Sequence, residues 1–346
     1  MTNLIKKTIY ALGGFTSAMV IAGQAFASGY TTTAINVEHR ERNLPLHIYY
    51  PSSQGGNEIM LGKNAVFKGV SVRADGSPDQ GSFPLVLLSH GSGGNGVNLG
   101  WIASHLADQG MIVVAPNHPG TTSGDSFPSK TVKIWERPQD MSAILDQIDD
   151  LLPEGLKADK NKVGAIGFSL GGYTVLSLAG ARASKAKFVN YCDQYAGKMD
   201  CIWYEAGKID LAAIDPVPYE QSNADPRIKT FVAIDPALSQ AYQTPSLAAI
   251  NAPVQIINLG TAEDTPAAVN ASEFVKQIPN ATYETLPGTN HFTFMGECTM
   301  LGKPIIFAAG EDPICTDPEG TDRAEEHTKM KSMISRSLLN QFALTN

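Results

Sequence analysis

The stretch Gly167-Phe168-Ser169-Leu170-Gly171-Gly172 fits the pattern G-x-S-x-G and directly follows the short apolar run Val163-Gly164-Ala165-Ile166. A serine used for attack has to stand out of the fold on a sharp strand-to-helix turn, and flanking glycines allow the strained backbone and the close approach of the next helix. Downstream, the small and apolar residues Tyr173 to Ala181 suit a helix buried against a sheet. The pentapeptide alone is a modest signal, because glycine and serine also punctuate ordinary turns. The surrounding pattern has to carry the reading.

On both sides of this stretch, short continuous apolar runs alternate with amphipathic segments. Pro84 to Ser89, Met111 to Pro116, Lys162 to Phe168, Ile228 to Ile234, Pro253 to Leu259 and Ala281 to Leu286 read as strands. Between and after them, Trp101 to Gln109, Asp140 to Leu152, Ala267 to Gln277 and Ala324 to Phe342 read as helices. Met141, Ile144, Leu145, Ile148 and Leu151 form an i, i+3, i+4, i+7 stripe, and Pro138 falls near the first turn of that helix, where proline is tolerated. Such alternation means a mostly parallel, buried sheet with helices on both faces, an α/β fold. Ahead of it, Thr32 to Glu38 and Leu46 to Tyr50 read as edge strands, with a small hairpin expected around Val66 to Val72. Residues 182–227 carry Cys192, Cys201, Trp203 and Tyr204 and are too long for a simple connection, so they are expected to form a cap inserted into one domain of residues 28–346.

A serine hydroxyl needs a base to take its proton and a third group to orient that base. In this architecture the expected order is serine, acid, histidine. Only His291 and His327 follow Ser169. His291 lies just after a predicted strand and is the expected base, whereas His327 falls inside the charged terminal helix and is expected to have no catalytic role. For the acid, Asp264 is preferred, because Gly260 to Pro266 follows the strand before the histidine strand and catalytic residues of open sheets gather at such carboxyl ends. Its neighbour Glu263, and Asp235 one strand earlier, remain alternatives. The oxyanion formed by attack needs two fixed backbone N–H donors. Leu170, directly after the nucleophile, is expected to supply one, and Ser92 in the loop His90-Gly91-Ser92-Gly93-Gly94 the other. His90 and His118 precede the nucleophile and are expected to brace loops by hydrogen bonds.

The chain has 346 residues, 43% of them hydrophobic and 17% charged, enough for one large core. Its net charge of −8, with no basic cluster beyond the first residues, makes nucleic acid a poor partner. Lys6 and Lys7, an apolar segment from Ile9 to Ala22 and Ala25-Phe26-Ala27 have the layout of a secretory signal peptide cleaved after Ala27. That segment is interrupted by Gly13, Gly14, Thr16 and Ser17 and falls short of the ~20 residues a spanning helix needs, so no stable membrane anchor is expected after cleavage. An exported chain with four cysteines is expected to form disulfides, with Cys192–Cys201 and Cys298–Cys315 favoured as the pairs nearest in sequence. With neither a CxxC spacing nor a Cys/His cluster, no zinc site is expected, and attack by a serine through a histidine and an acid implies no metal or organic cofactor.

The motifs LSHGSGG (88–94), VVAPNHPG (113–120), GFSLGG (167–172), AIDPA (233–237) and GTNHFTF (288–294) together resemble the exported α/β-hydrolases described as dienelactone-hydrolase-like, and are similar to platelet-activating factor acetylhydrolases. The resemblance implies Ser169 as nucleophile, His291 as base, and the main-chain N–H groups of Ser92 and Leu170 as the oxyanion hole. Acetylhydrolases of that type draw the acid from the position matched by Asp235, whereas most α/β-hydrolases use the position matched by Asp264. Dienelactone hydrolases attack with cysteine where this chain has serine. The expected function is therefore a periplasmic or secreted serine esterase acting on a small-molecule or lipid ester. Alternatives are an acetylhydrolase on short-acyl phospholipids, a cutinase-like polyesterase, or a noncatalytic module that kept the fold.

Overall fold

The computed structural model describes residues 27–195 and 197–344. The expected leader thus lies outside the described residues except for Ala27, which opens the first strand. Ten strands form one sheet: β1 (Ala27–Ile35), β2 (Leu44–Ser52), β3 (Asn57–Leu61), β4 (Val70–Ala74), β5 (Gly81–Ser89), β6 (Ile112–Pro116), β7 (Leu156–Phe168), β8 (Thr230–Ile234), β9 (Val254–Leu259) and β10 (Ala281–Leu286). Their spatial order is β10-β9-β8-β7-β5-β6-β2-β1-β4-β3. From β10 to β6 every neighbouring pair is parallel, and β2 then runs antiparallel to both β6 and β1. The expected edge strands near the amino terminus are thus interior, and the sheet edges are β3 and β10. The early hairpin is also displaced, joining β3 to β4 across the stretch where it was expected.

Burial follows from the alternation within each strand. Leu85, Leu87, Ile112, Val114, Ala165, Phe231, Ala233 and Ile256 point to one face, where they pack with α2 (Glu136–Leu151) and α3 (Leu170–Ala179). Val86, Leu88, Val113, Ile166, Val232, Ile234 and Ile257 point to the other, under α1 (Gly100–Asp108) and α7 (Arg323–Leu344). Two-sided burial is why these strands read as continuous apolar runs. Among the described residues, no helix is long and apolar enough to cross a membrane.

Residues 182–227 hold α4 (Lys185–Gln194) and α5 (Met199–Ala206), joined by the Cys192–Cys201 disulfide. Phe188, Tyr191, Tyr204 and Tyr219 of this segment are buried in the same cluster as Tyr173 and Leu176 of α3. Trp203 Nε1 donates to Thr131 Oγ1 at 3.2 Å. The second disulfide, Cys298–Cys315, flanks α6 (Gly302–Ala309). Both pairings are those favoured from the sequence.

One expected helix does not form. Between residues 267 and 277 only Phe274–Gln277 make a short 3-10 turn. The cause is Asn258, buried on β9: its Oδ1 accepts from the Ala271 N–H and its Nδ2 donates to the Val269 carbonyl, both at 2.8 Å. Those two backbone groups are captured from the segment's own ladder.

Candidate active site

Ser169 lies between β7 and α3 with φ 55° and ψ −118°, a conformation that costs a non-glycine residue about 1–3 kcal/mol and persists only where the surroundings enforce it. Here the end of β8 enforces it: the Ser169 N–H donates to the Ile234 carbonyl and the Ser169 carbonyl accepts from the Ala237 N–H, both at 2.9 Å. The glycines of the motif are sterically required. A Cβ on Gly167 would stand 1.9 Å from the Gly171 carbonyl oxygen, and one on Gly171 would stand 1.9 Å from that of Ser89. The serine turn is thereby pressed against both neighbouring strand ends.

His291 opens a short 3-10 turn after β10, capped by Asn290, whose Oδ1 accepts from the Phe292 N–H and whose own N–H donates to Thr293 Oγ1. Its Nε2 lies 3.2 Å from Ser169 Oγ and its Nδ1 2.8 Å from Asp235 Oδ2. The ring packs on Phe168 with centroids 4.7 Å apart. Asp235 is fully buried, and its other oxygen accepts from Asn258 Nδ2 and from the Leu259 N–H, each at 2.8 Å. Every carboxylate oxygen is thus engaged, which is the condition for keeping a charge inside.

Asp264, the acid preferred from the sequence, is not joined to His291. It is exposed, and its Oδ2 accepts from Thr261 Oγ1 at 2.7 Å. Glu263 is likewise exposed. The loop Thr261–Thr265 closes on itself through the Thr265 hydroxyl, which donates to the Thr261 carbonyl at 2.7 Å, so its acids face outward. Asp235 is the carboxylate that meets His291 because β8 lies directly beside β7, and its end is already bonded to the serine turn.

Leu170 is the first residue of α3, so its N–H has no intrahelical acceptor and carries the positive end of the helix dipole. The loop after β5 crosses in front of the serine: a Cβ on Gly91 would stand 3.1 Å from Ser169 Cβ. Ser92 is exposed, and its N–H makes no hydrogen bond among the described residues. The carbonyl of the same peptide, Gly91 O, accepts from His90 Nδ1–H at 2.7 Å and from the Gly94 N–H at 3.1 Å. His90 accepts the His118 N–H at its Nε2, 3.1 Å away. Both histidines therefore brace the loop, as expected.

Behind the loop lies a buried charged network that the motifs do not announce. His118 Nδ1 is 2.8 Å from Asp140 Oδ2 and His118 Nε2 is 2.9 Å from Ser89 Oγ. Asp140 also receives Arg40 and His39. Burial, reinforced by the Arg137 charge, pushes the His118 imidazole down to about 3 and keeps His90 well below its ordinary range. Burial lowers the Arg137 guanidinium to about 9, still charged at neutral pH. Asp140 stays ionised because the hydrogen bonds from His118, His39 and Arg40 outweigh the cost of its burial. The only signal in the sequence was the polar residues Arg137 and Asp140 on the apolar side of an amphipathic helix.

His327, expected to lack a catalytic role, stacks on Trp101 with centroids 3.8 Å apart, and its Nε2–H donates to the Thr293 carbonyl at 2.9 Å. It supports the His291 turn from below. Among the described residues, no three His, Cys, Asp or Glu side chains are grouped to hold a metal ion.

Comparison with known proteins agrees with this architecture. A ferulic acid esterase from Streptomyces cinnamoneus superposes with a TM-score of 0.60 at 16% identity, covering 92% of this chain and 91% of the esterase, so the two share a fold. An esterase from Rhizomucor miehei covers 92% of this chain and is covered to 86%, with a TM-score of 0.49 at 12% identity. In sequence, dipeptidyl-peptidase 5 of Porphyromonas gingivalis is 30% identical over 102 residues, which is 28% of this chain and 15% of the peptidase. The chlorophyllase family model matches residues 68–283, from the segment before β4 into β10. That match takes in the serine turn, the loop after β5 and Asp235 on more than half of the sequence, and it makes this chain an α/β-hydrolase of the chlorophyllase family.

Proposed function

We propose that the protein hydrolyses carboxylic esters through an acyl-enzyme on Ser169. The observation that carries this reading is the unbroken chain from Ser169 Oγ to His291 Nε2 at 3.2 Å and from His291 Nδ1 to Asp235 Oδ2 at 2.8 Å. Asp235 holds the imidazole with its proton on Nδ1, so Nε2 is free to take the serine proton. Ser169 Oγ then attacks the ester carbonyl, and the N–H groups of Leu170 and Ser92 receive the developing oxyanion. As the intermediate collapses, His291 returns the proton to the leaving alcohol. Water attacks the acyl-enzyme by the same route in reverse, with His291 again the base, and releases the acid.

The chlorophyllase match supports an ester as substrate and makes chlorophyll one ester to assay. An apolar substrate is further favoured by the segment that follows His291, where Met300, Leu301 and Phe307 are exposed, Met300 by 97% and Phe307 by 86%. The two disulfides support an oxidising location, periplasmic or extracellular. The insertion at 182–227 is read as a cap that shapes the acyl or alcohol side of the site.

The decisive experiment is the initial rate on p-nitrophenyl esters of increasing chain length and on chlorophyll, with Ser169→Ala in parallel, and mass spectrometry after a fluorophosphonate. Turnover lost in Ser169→Ala, with one adduct on the Ser169 peptide, is the expected result. An unlabelled protein inert on every ester would leave the noncatalytic alternative in its place.

A further inference from the structure

The two N–H donors assigned to the oxyanion sit on separate elements, Leu170 on α3 and Ser92 on the loop after β5. Both leave paired strand ends, since β5 and β7 run side by side as far as Ser89 and Gly167, but the loop carrying Ser92 extends beyond that pairing. One side chain is bonded to both. Arg137 of α2, only 1% exposed, donates through Nη2 to the His90 carbonyl and to Ser89 Oγ, the latter at 3.2 Å. Through Nε it donates to Thr174 Oγ1 at 3.1 Å, and that hydroxyl donates to the Leu170 carbonyl at 2.9 Å. Through Nη1 it donates to Thr121 Oγ1 at 2.6 Å, and the Thr121 carbonyl accepts the Gly93 N–H at 2.9 Å.

Each hydrogen-bond acceptor of Arg137 is neutral, and among the described residues no carboxylate pairs with it directly. A buried guanidinium so arranged is expensive, and a packed apolar side chain would fill the space at lower cost if filling were all that was needed. What the guanidinium supplies is a rigid planar fork that reaches four acceptors on three segments at once. We propose that Arg137 is a positioning residue that sets the spacing between the Ser92 and Leu170 N–H groups, and so acts on the transition state without touching substrate. This inference rests on the esterase reading above.

The test compares wild type, Arg137→Met and Arg137→Lys in kcat and KM on p-nitrophenyl butyrate and in the inhibition constant of a trifluoromethyl ketone, which loads the oxyanion hole. For Arg137→Met, kcat is expected to fall roughly 10- to 100-fold with ketone affinity falling in parallel, while KM moves by less than about threefold. Arg137→Lys keeps the charge but not the fork, and is expected to recover only part of the loss. A folded Arg137→Met with wild-type kcat and ketone affinity overturns the proposal, and so does one that melts earlier but turns over normally. Should Arg137→Met not fold, Thr174→Val decides. It removes only the link from Arg137 to Leu170, a several-fold loss of kcat at unchanged KM is expected, and no loss overturns the proposal. Activity surviving in Ser169→Ala is a separate outcome, because it removes the esterase reading itself and this assignment with it.

Discussion

Asp235 and His291 are 56 residues apart in sequence, yet the Asp235 carboxylate lies 2.8 Å from His291 Nδ1 and is held from behind by Asn258 and the Leu259 N–H. The carboxylate follows the end of β8, next to the strand that leads into Ser169, and the loop carrying His291 reaches over the end of β9 to meet it.

Replacing Asp235 with Asn keeps the size of the side chain and removes the charge that orients His291. Its kcat is expected to drop about 10³-fold or more, while Asp264→Asn stays near wild type, because Asp264 is exposed and bonded to Thr261. Steady-state kinetics of the two variants side by side settle the acid. A large loss in Asp264→Asn with a mild one in Asp235→Asn would reverse the assignment.

Asn258 serves two masters, since it donates to Asp235 and also ties down Val269 and Ala271. Asn258→Ala leaves those buried groups unpaired and is expected to cost about 1–3 kcal/mol of stability, read from urea unfolding. A lower kcat should accompany it. If stability falls and kcat does not, the hydrogen bond to Asp235 is dispensable for catalysis.

Acid should destabilise the fold through its buried histidines. In the folded state His118 titrates at about 3 and His327 at about 4, burial being the main cause in both. The unfolded chain protonates near 6.5, so below that pH it binds more protons than the native state. Their contribution is complete above pH 6.5 and declines as pH falls, by up to about 1.4 kcal/mol per pH unit for each histidine between 6.5 and 4. Urea midpoints between pH 7.5 and 4.5 should therefore shift downward with acid. His327→Phe, which keeps a ring against Trp101, should make that slope shallower.

The Cys298–Cys315 disulfide closes a segment tied to the histidine turn, with Asn290 Nδ2 donating to the Thr316 carbonyl at 2.8 Å and Thr293 Oγ1 to Asp317 Oδ1 at 2.9 Å. Its removal as a double Cys→Ser variant should cost about 3 kcal/mol by the loop-entropy estimate and lower kcat several-fold. Removing Cys192–Cys201 should lower stability by a similar amount, and its effect on the chain-length optimum reports whether the insertion reaches substrate. Thermal melts with kinetics on both variants make the comparison.

Much of this architecture was legible in the chain because it depends on local rules. Two-sided burial makes Leu85 to Leu88, Ile112 to Ala115 and Val232 to Ile234 continuous apolar runs, and the sterically required glycines at 167 and 171 mark the serine turn. The position of His291, just after a strand, was legible for the same reason. The identity of the acid was not, since Asp235 and Asp264 both follow strand ends, and sequence spacing does not say which loop folds inward. Only tertiary structure tells which carboxylate meets His291: β8 lies against β7, Asn258 and the Leu259 N–H satisfy the second oxygen of Asp235, and the Thr261–Thr265 loop turns Asp264 to solvent. The same buried Asn258 prevents the helix that periodicity suggested at 267–277. Arg137 was hidden for a related reason, because its four acceptors come from three segments distant in sequence, and only packing brings them within reach of one guanidinium.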